Sequence, residues 1–328
     1  MKNNLSALLI TDSNGSVYLQ ETSAGKITLF KSDSNFELLE SAALLKDGDV
    51  SVELAEIAQA ETLLPNTLCM SLQDAVNMIE DERINDVLTV AALLKAEHFK
   101  LVKCKTQVLY EDEYCIAVNK PPGLLVHRTS MSNDKDFLLQ RVRNQSGKKV
   151  YPVHRLDRPT SGVVLFGFGK EIVAEFFRVF REREVKKTYL ALVRGWTDDS
   201  GEIDSPLTTA SGKEQEALTL YKTIAKVEVD IPVGPYEQAR YSLVEIDLKT
   251  GRTHQIRRHF VHLRHPIIGD TSYGDARHNQ MFREKFNSNR LMLAAVKLEL
   301  VHPFTQKELK IEAPLEAGFK SVLNKLGI

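Results

Sequence analysis

The sequence has little of what would announce redox, nucleotide or membrane chemistry. Three cysteines, Cys69, Cys104 and Cys115, occur in 328 residues, and no two stand in a C-x-x-C pair. An odd, scattered set argues against a disulfide framework and against a cysteine-rich zinc site, so inert thiols are expected. No run approaches the roughly 20 apolar residues that cross a bilayer. Asp12 and Gly15 also interrupt the opening segment where a signal peptide would continue its apolar core. A cytoplasmic protein without membrane contact is expected. The chain has no G-x-G-x-x-G, no P-loop and no G-x-S-x-G. Dinucleotide, nucleoside-triphosphate and serine-hydrolase chemistry therefore lack their usual marks, and no cofactor is expected.

What is present is globular in composition: 43% hydrophobic and 27% charged residues exclude disorder and fibrous repeats. At about 100–200 residues per domain, the length predicts two domains. The net charge of −1 hides an asymmetry. Residues 1–105 carry 9 Lys and Arg against 16 Asp and Glu, a net of −7; residues 106–328 carry 34 against 28, a net of +6, and eight of the nine histidines. A basic module behind an acidic one can still meet phosphates, while the acidic part should avoid them.

Residues 5–31 alternate apolar and polar positions, with Leu8 and Ile10, Val17 and Leu19, and Ile27 and Leu29 around Asn14-Gly15 and Gly25, which predicts a small meander. Over residues 72–99 the spacing turns helical, through Leu72, Val76 and Ile79 and then Ile84, Val87, Val90 and Leu93-Leu94, so two short helices are expected. The boundary falls near 103–107. It separates an acidic module, 1–105, in which no chemistry is legible, from a second domain, 106–328. That domain should open with a strand at 114–119 and a tight reversal at Lys120-Pro121-Pro122-Gly123 leading to 124–127. Residues 170–184 place Ile172, Val173, Phe176, Phe177 and Phe180 on one helix face, read as core. Residues 185–194 alternate as a strand with Lys187, Tyr189, Ala191 and Val193 on one side. Further strands are expected at 240–248, 296–301 and 309–312. Helices scattered among hairpin-like strands, without a repeated strand-helix-strand period, predict an α+β fold with a mixed sheet.

Three segments put charge into stretches that otherwise look buried. In Val153-His154-Arg155-Leu156-Asp157-Arg158-Pro159-Thr160-Ser161-Gly162, a carboxylate lies between two arginines on a turn backed by an apolar strand. An opposite charge within about 4–6 Å keeps an Asp ionised, as a nucleophile or base requires; a structural Asp–Arg pair in a turn has the same pattern. In the second segment, residues 251–266, Ile256, Phe260 and Leu263 form the apolar stripe of a helix ending before Pro266. Arg257 lies at the stripe's edge, within reach of a partly buried anion or simply snorkelling. His254, Arg258 and His262 point outward, as a solvated face or toward RNA phosphates. In the third segment, 186–196, Tyr189 is either a core residue or a stacking platform for a base. His259, His262 and His265 recur every third residue, but that helix has no partner carboxylate or thiolate, and no metal is expected there.

Taken together and in order, H-R-L-D-R-P-T-S-G at 154–162, K-x-Y-x-A-x-V-x-G at 187–195 and G-R-T-H-Q-I-R at 251–257 resemble the RluA-type pseudouridine synthases. N-K-P-P-G-L-L-V-H at 119–127 is similar to that family as well. The stretch R-R-H-F-V-H-L-R-H-P-I-I-G-D at 257–270 and H-P-F-T at 302–305 look most like its TruC-type branch, which acts on tRNA uridine 65. The resemblance covers about residues 107–315. It implies a mixed, mostly antiparallel sheet with flanking helices around a central cleft. It also implies roles: Asp157 catalytic, Arg257 its basic partner, Tyr189 packed on the target base, Ile256 lining the pocket beneath it, and Arg155 filling the space the flipped nucleotide leaves. Leu156 joins the substrate-binding set. The implied activity is isomerisation of a uridine in tRNA, at position 65 in the acceptor-stem and T-arm region; an rRNA-directed synthase and a non-catalytic RNA-binding protein are the alternatives. A monomer is expected, with the front module docked on the catalytic domain or on a protein partner. Residues 1–105 have no counterpart in minimal relatives and lack an S4-type pattern. Leu293-Ala294-Ala295 stands where many relatives read L-H-A.

Overall fold

The computed structural model describes residues 106–328 apart from 129–135 and 210, and, ahead of them, strands within the first 71 residues together with Ala75 and Thr89. Its internal contacts divide the chain into two compact units, Met1–Lys105 and Thr106–Ile328.

The first unit is built on β1 (Leu5–Thr11), β2 (Ser16–Glu21), β3 (Ile27–Thr28), β4 (Phe30–Lys31), β5 (Leu38–Asp47), β6 (Val50–Ile57) and β7 (Thr67–Ser71). Asn14-Gly15 stands between β1 and β2, which pair antiparallel with Ile10 opposite Tyr18, and Val17 and Leu19 of β2 are buried. The expected meander is thus extended by β5–β7 into a larger sheet, in which β1 also runs parallel to β6. The two helices expected over 72–99 lie outside the described residues, save Ala75 and Thr89, both helical.

The second unit opens with β8 (Gln107–Glu111), β9 (Cys115–Lys120), α1 (Leu138–Ser146), β10 (Tyr151–Pro152), β11 (Ser161–Gly167), α2 (Lys170–Arg181) and β12 (Val185–Arg194). It continues with β13 (Ser200–Asp204), β14 (Leu207–Thr208), β15 (Glu214–Gln215), β16 (Leu218–Val229) and β17 (Ala239–Leu248). Last come α3 (Gln255–His262), α4 (Ala276–Phe286), β18 (Leu293–Val301), β19 (Glu308–Glu312) and α5 (Ala317–Leu326). One sheet runs in the order β13-β16-β17-β12-β18-β11-β9-β8, with β10 on β11 and β19 on β18. Its pairings among the described residues are antiparallel except β11 with β18. This is the mixed α+β fold expected.

Every residue of β11 is buried because both faces of the sheet are covered there. Val164 and Phe166 join a core that includes Leu138 of α1, Ile256 and Phe260 of α3, and Phe319 of α5, while Val163 and Leu165 join Val173 and Phe176 of α2. At its start, β11 meets β18 with Gly162 opposite Ala295. Gly162 has φ +115°, and a Cβ there would sit 2.0 Å from the Ala295 carbonyl oxygen, so only glycine permits the approach. Tyr189 of β12 is paired to Ala295 from the other side. One alanine therefore fixes the loop carrying Asp157 beside the strand carrying Tyr189.

Two helical expectations are corrected. Phe177 is 52% exposed: the core stripe of α2 runs Val173, Phe176, Val179, and Phe177 stands about 100° around from Phe176. The helix expected through 251–265 is shorter, because His254 holds a left-handed conformation (φ 55°) that starts α3 at Gln255, and Leu263 caps its end.

Candidate active site

Asp157 sits in the loop between β10 and β11, its side chain 27% exposed. The loop is tied down from both ends. Thr160 N donates to the Asp157 carbonyl at 3.1 Å, and Gly123 N donates to the Arg158 carbonyl at 2.9 Å. Arg158 Nε returns a bond to the Gly123 carbonyl at 3.0 Å. Beneath them lies Lys120, fully buried, whose Nζ donates to the carbonyls of Pro121 (2.9 Å), Leu124 (2.7 Å) and Arg158 (2.9 Å). Three carbonyl acceptors use all three N–H donors of an ammonium. Burial, with Arg290 nearby, pulls its pKa well below the usual lysine range, and Asp157 opposes that shift. Lys120 stands in the N-K-P-P-G reversal, but sequence reasoning gave it no role; nothing in the spacing says that an exposed-looking turn lysine folds under the loop.

The cation facing Asp157 comes from α3. Arg257 Nη1 lies 3.5 Å from Asp157 Oδ2, and the guanidinium is only 4% exposed. Its stronger bonds go elsewhere: Nε and Nη2 grip the two oxygens of Asp270 at 2.7 and 2.8 Å. Asp270 Oδ1 also accepts from the backbone N–H groups of Ser272 (2.9 Å) and Tyr273 (3.0 Å). Burial would raise the Asp270 carboxyl, but these donors, Arg257 foremost, hold it below the usual carboxylate range. Against burial, Asp270 and Asp157 together raise the Arg257 pKa, so the guanidinium stays charged. Asp270 was legible only as the last letter of a family stretch; its role needed the 13-residue return of the chain.

His254, expected to point outward, instead turns in. Its Nε2 lies 4.0 Å from Asp157 Oδ2 and its Nδ1 is 3.1 Å from Tyr273 Oη. Tyr273 in turn lies under Arg257, 5.0 Å from Cζ to the ring centre. Of the other residues singled out from the sequence, Tyr189 is buried; burial first, and the Asp157 charge second, push its phenol far up, so it keeps its proton. Ile256 is buried in the same core, Leu156 is buried beside Asp157, and Arg155 is exposed at the loop's edge, near enough to His127 to help lower its pKa. Asp157, Arg257 and Tyr189 thus meet electrostatically, with one side of the carboxylate open.

Among the described residues, one cluster has the donor types of a metal site: Asp112, Cys115 and His302, within 4.8 Å of one another. Its atoms are already engaged. His302 Nδ1 accepts from Phe304 N and Thr305 N, its Nε2 lies 3.2 Å from Asp112 Oδ2, and Asp112 Oδ1 accepts from Tyr114 N and Cys115 N. Burial pushes the Cys115 thiol far up, away from the thiolate a metal requires. The histidines in and just after α3 are engaged elsewhere: His259 bonds to Thr219 Oγ1 and the Ser205 carbonyl, and His265 to the Arg194 carbonyl.

Residues 114–262 match the family model described as RNA pseudouridylate synthase. A protein of Vibrio cholerae named tRNA pseudouridine synthase C is 45% identical over 233 residues, covering 67% of this chain and 96% of that one. The protein of the same name from Salmonella typhi is 45% identical, over 67% of this chain and 90% of its own. Among solved structures, human RNA pseudouridylate synthase domain containing 4 superposes with a TM-score of 0.53 at 22% identity, over 71% of this chain and 96% of that one, a likeness of fold. Human RNA pseudouridylate synthase domain containing 1 gives 0.50 at 25% identity, over 64% and 83%.

Proposed function

Because this chain belongs to the RNA pseudouridylate synthase family and isomerises uridine in tRNA, we propose that Asp157 carries the reaction and that the uridine is the one at position 65. The observation that carries the assignment is the open, half-buried carboxylate of Asp157, held at 3.5 Å by a guanidinium that a second carboxylate keeps in place. The position rests on the TruC-type stretch at 257–270.

The isomerisation breaks the N1–C1′ bond, turns the uracil and joins its C5 to C1′; the proton leaving C5 is balanced by one gained at N1, and no electron is gained or lost overall. The site must hold a detached, electron-rich uracil beside an electron-poor sugar. Asp157 serves either by attacking the sugar or by taking the C2′ proton, and both need its carboxylate form. Tyr189, neutral and buried, offers a flat wall and an O–H donor instead of a base, and Ile256 is the apolar floor. Extruding the nucleotide costs a few kcal/mol of stacking, which Arg155 at the loop edge helps offset.

The test is incubation of purified protein with unmodified tRNA transcripts and site-resolved pseudouridine detection. One modified uridine at position 65, absent with Asp157→Asn, is the expected result. Modification of rRNA instead would overturn the position, and tRNA binding without any pseudouridine would favour the non-catalytic reading. We place the protein in the cytoplasm as a monomer. Its first 105 residues, net −7, suit a protein surface better than RNA, docking on the catalytic unit or on a partner. Unchanged site choice, turnover and partner capture after their deletion would refute that role.

A further inference from the structure

A cavity of about 340 Å³, with Tyr273 in its lining, opens between the outer face of α3 and the turn at Ser205-Pro206-Leu207. We propose that it seats the base and phosphate of a nucleotide flanking the target uridine in the same RNA strand, an inference that rests on the uridine-isomerase reading. Three features support it. The volume falls within the range of small-ligand pockets. The lining is mixed as a nucleotide requires: Pro206, Leu207, Val261 and the Tyr273 ring offer apolar and aromatic surface, while Arg258 and His262 offer cationic or N–H groups at the rim. Val261 is 38% exposed there, an apolar side chain in water beside charged ones.

The walls are also fixed in advance. His259, fully buried, ties α3 to the turn through the Ser205 carbonyl at 3.0 Å and is anchored behind by Thr219 Oγ1 at 2.9 Å. Burial lowers its pKa, so it acts as a neutral strut. Arg258 Nη1 is set against the Thr208 carbonyl at 3.1 Å, a geometry that uses one of five donors. Tyr273 is the partition between the two compartments: its hydroxyl meets His254 and its ring meets Arg257 on the Asp157 side, while it also lines the cavity. His254 links Asp157 to Tyr273 through contacts of 4.0 and 3.1 Å, so a nucleotide next to a uridine over Asp157 is within reach of this partition. Arg258 and His262 lie one turn apart on the outward face of α3, so they can meet one phosphate together.

The experiment uses the full chain and tRNA transcripts carrying an abasic nucleotide on one side or the other of the modified uridine, with Arg258→Ala/His262→Ala and, separately, Val261→Glu. In the wild type, one of the two abasic transcripts should lower kcat/KM about tenfold, the scale of one lost base stack. The double variant should raise KM about tenfold with single-turnover kcat within twofold of wild type, and flatten the dependence on salt by about one phosphate contact. The abasic penalty should largely vanish in that background, because both changes empty one seat. Val261→Glu, which leaves the Thr208 contact intact, should reproduce the KM effect. Wild-type KM and salt dependence in both variants, or an abasic penalty undiminished in them, would overturn the seat. A wild-type protein that forms no pseudouridine on any transcript would instead overturn the reading beneath it.

Discussion

Two loops bring a carboxylate to the same guanidinium, and their difference explains the site. Asp270 is sealed, 1% exposed, with two bonds from Arg257 and two from backbone N–H groups. Asp157 has the long, single-ended contact at 3.5 Å and an open side. A saturated carboxylate positions a cation; an unsaturated one beside that cation has a lone pair to offer a reacting atom. The same residue type is thus closed off or left available to a reacting atom according to how many donors surround it.

The comparison is most directly broken by exchanging the charges. Asp157→Asn should lower turnover by about 10³-fold or more while leaving the melting temperature near that of wild type; retained turnover would remove Asp157 from the chemistry. Asp270→Asn should do the reverse first, costing about 3–5 kcal/mol of stability because Arg257 is left buried without its bidentate partner, as denaturant titration would read. Its pH dependence sharpens the point. The folded Asp270 pKa lies below the unfolded value, so the unfolded chain binds the proton first; the contribution is full above about pH 4 and is lost as pH falls through the folded value. Asp270→Asn should flatten that acid limb.

Gly162→Ala moves only one of the two loops. With its Cβ aimed at the Ala295 carbonyl and φ strained, it should cost about 2–5 kcal/mol. Turnover should fall further than Arg257–Asp270 geometry would explain, which a crystal structure paired with kinetics would show. The smallest effect is expected for His254→Gln. A contact at 4.0 Å to a solvent-reached carboxylate is worth under about 1 kcal/mol, a few-fold change in turnover. A loss as large as that of Asp157→Asn would make His254 a partner in the reaction.

Much of the second unit was legible in the sequence alone. The strand at 185–194 coincides with β12, and the core stripe of the 170–184 helix was right except for Phe177, whose exposure follows from a rotation that periodicity alone smears out. Asp157, Arg257 and Tyr189 could be picked out because their three segments occur together. The partners closing the site were not: Lys120 looked like a turn residue, His254 like an outward base, and Asp270 like the end of a stretch. Each acts through a contact 13 to 97 residues away in sequence or through a left-handed backbone turn, which local patterning does not encode.

The sequence by itself determined which residue types were available and which elements they formed, because helix and strand periodicity, Pro-Gly punctuation and motif order are local properties of the chain. The tertiary structure alone decided which carboxylate was saturated and which was left open. That depends on how many N–H donors converge on each oxygen once β11, β12, β18 and α3 have packed, and donors of that kind are counted in space and not along the chain.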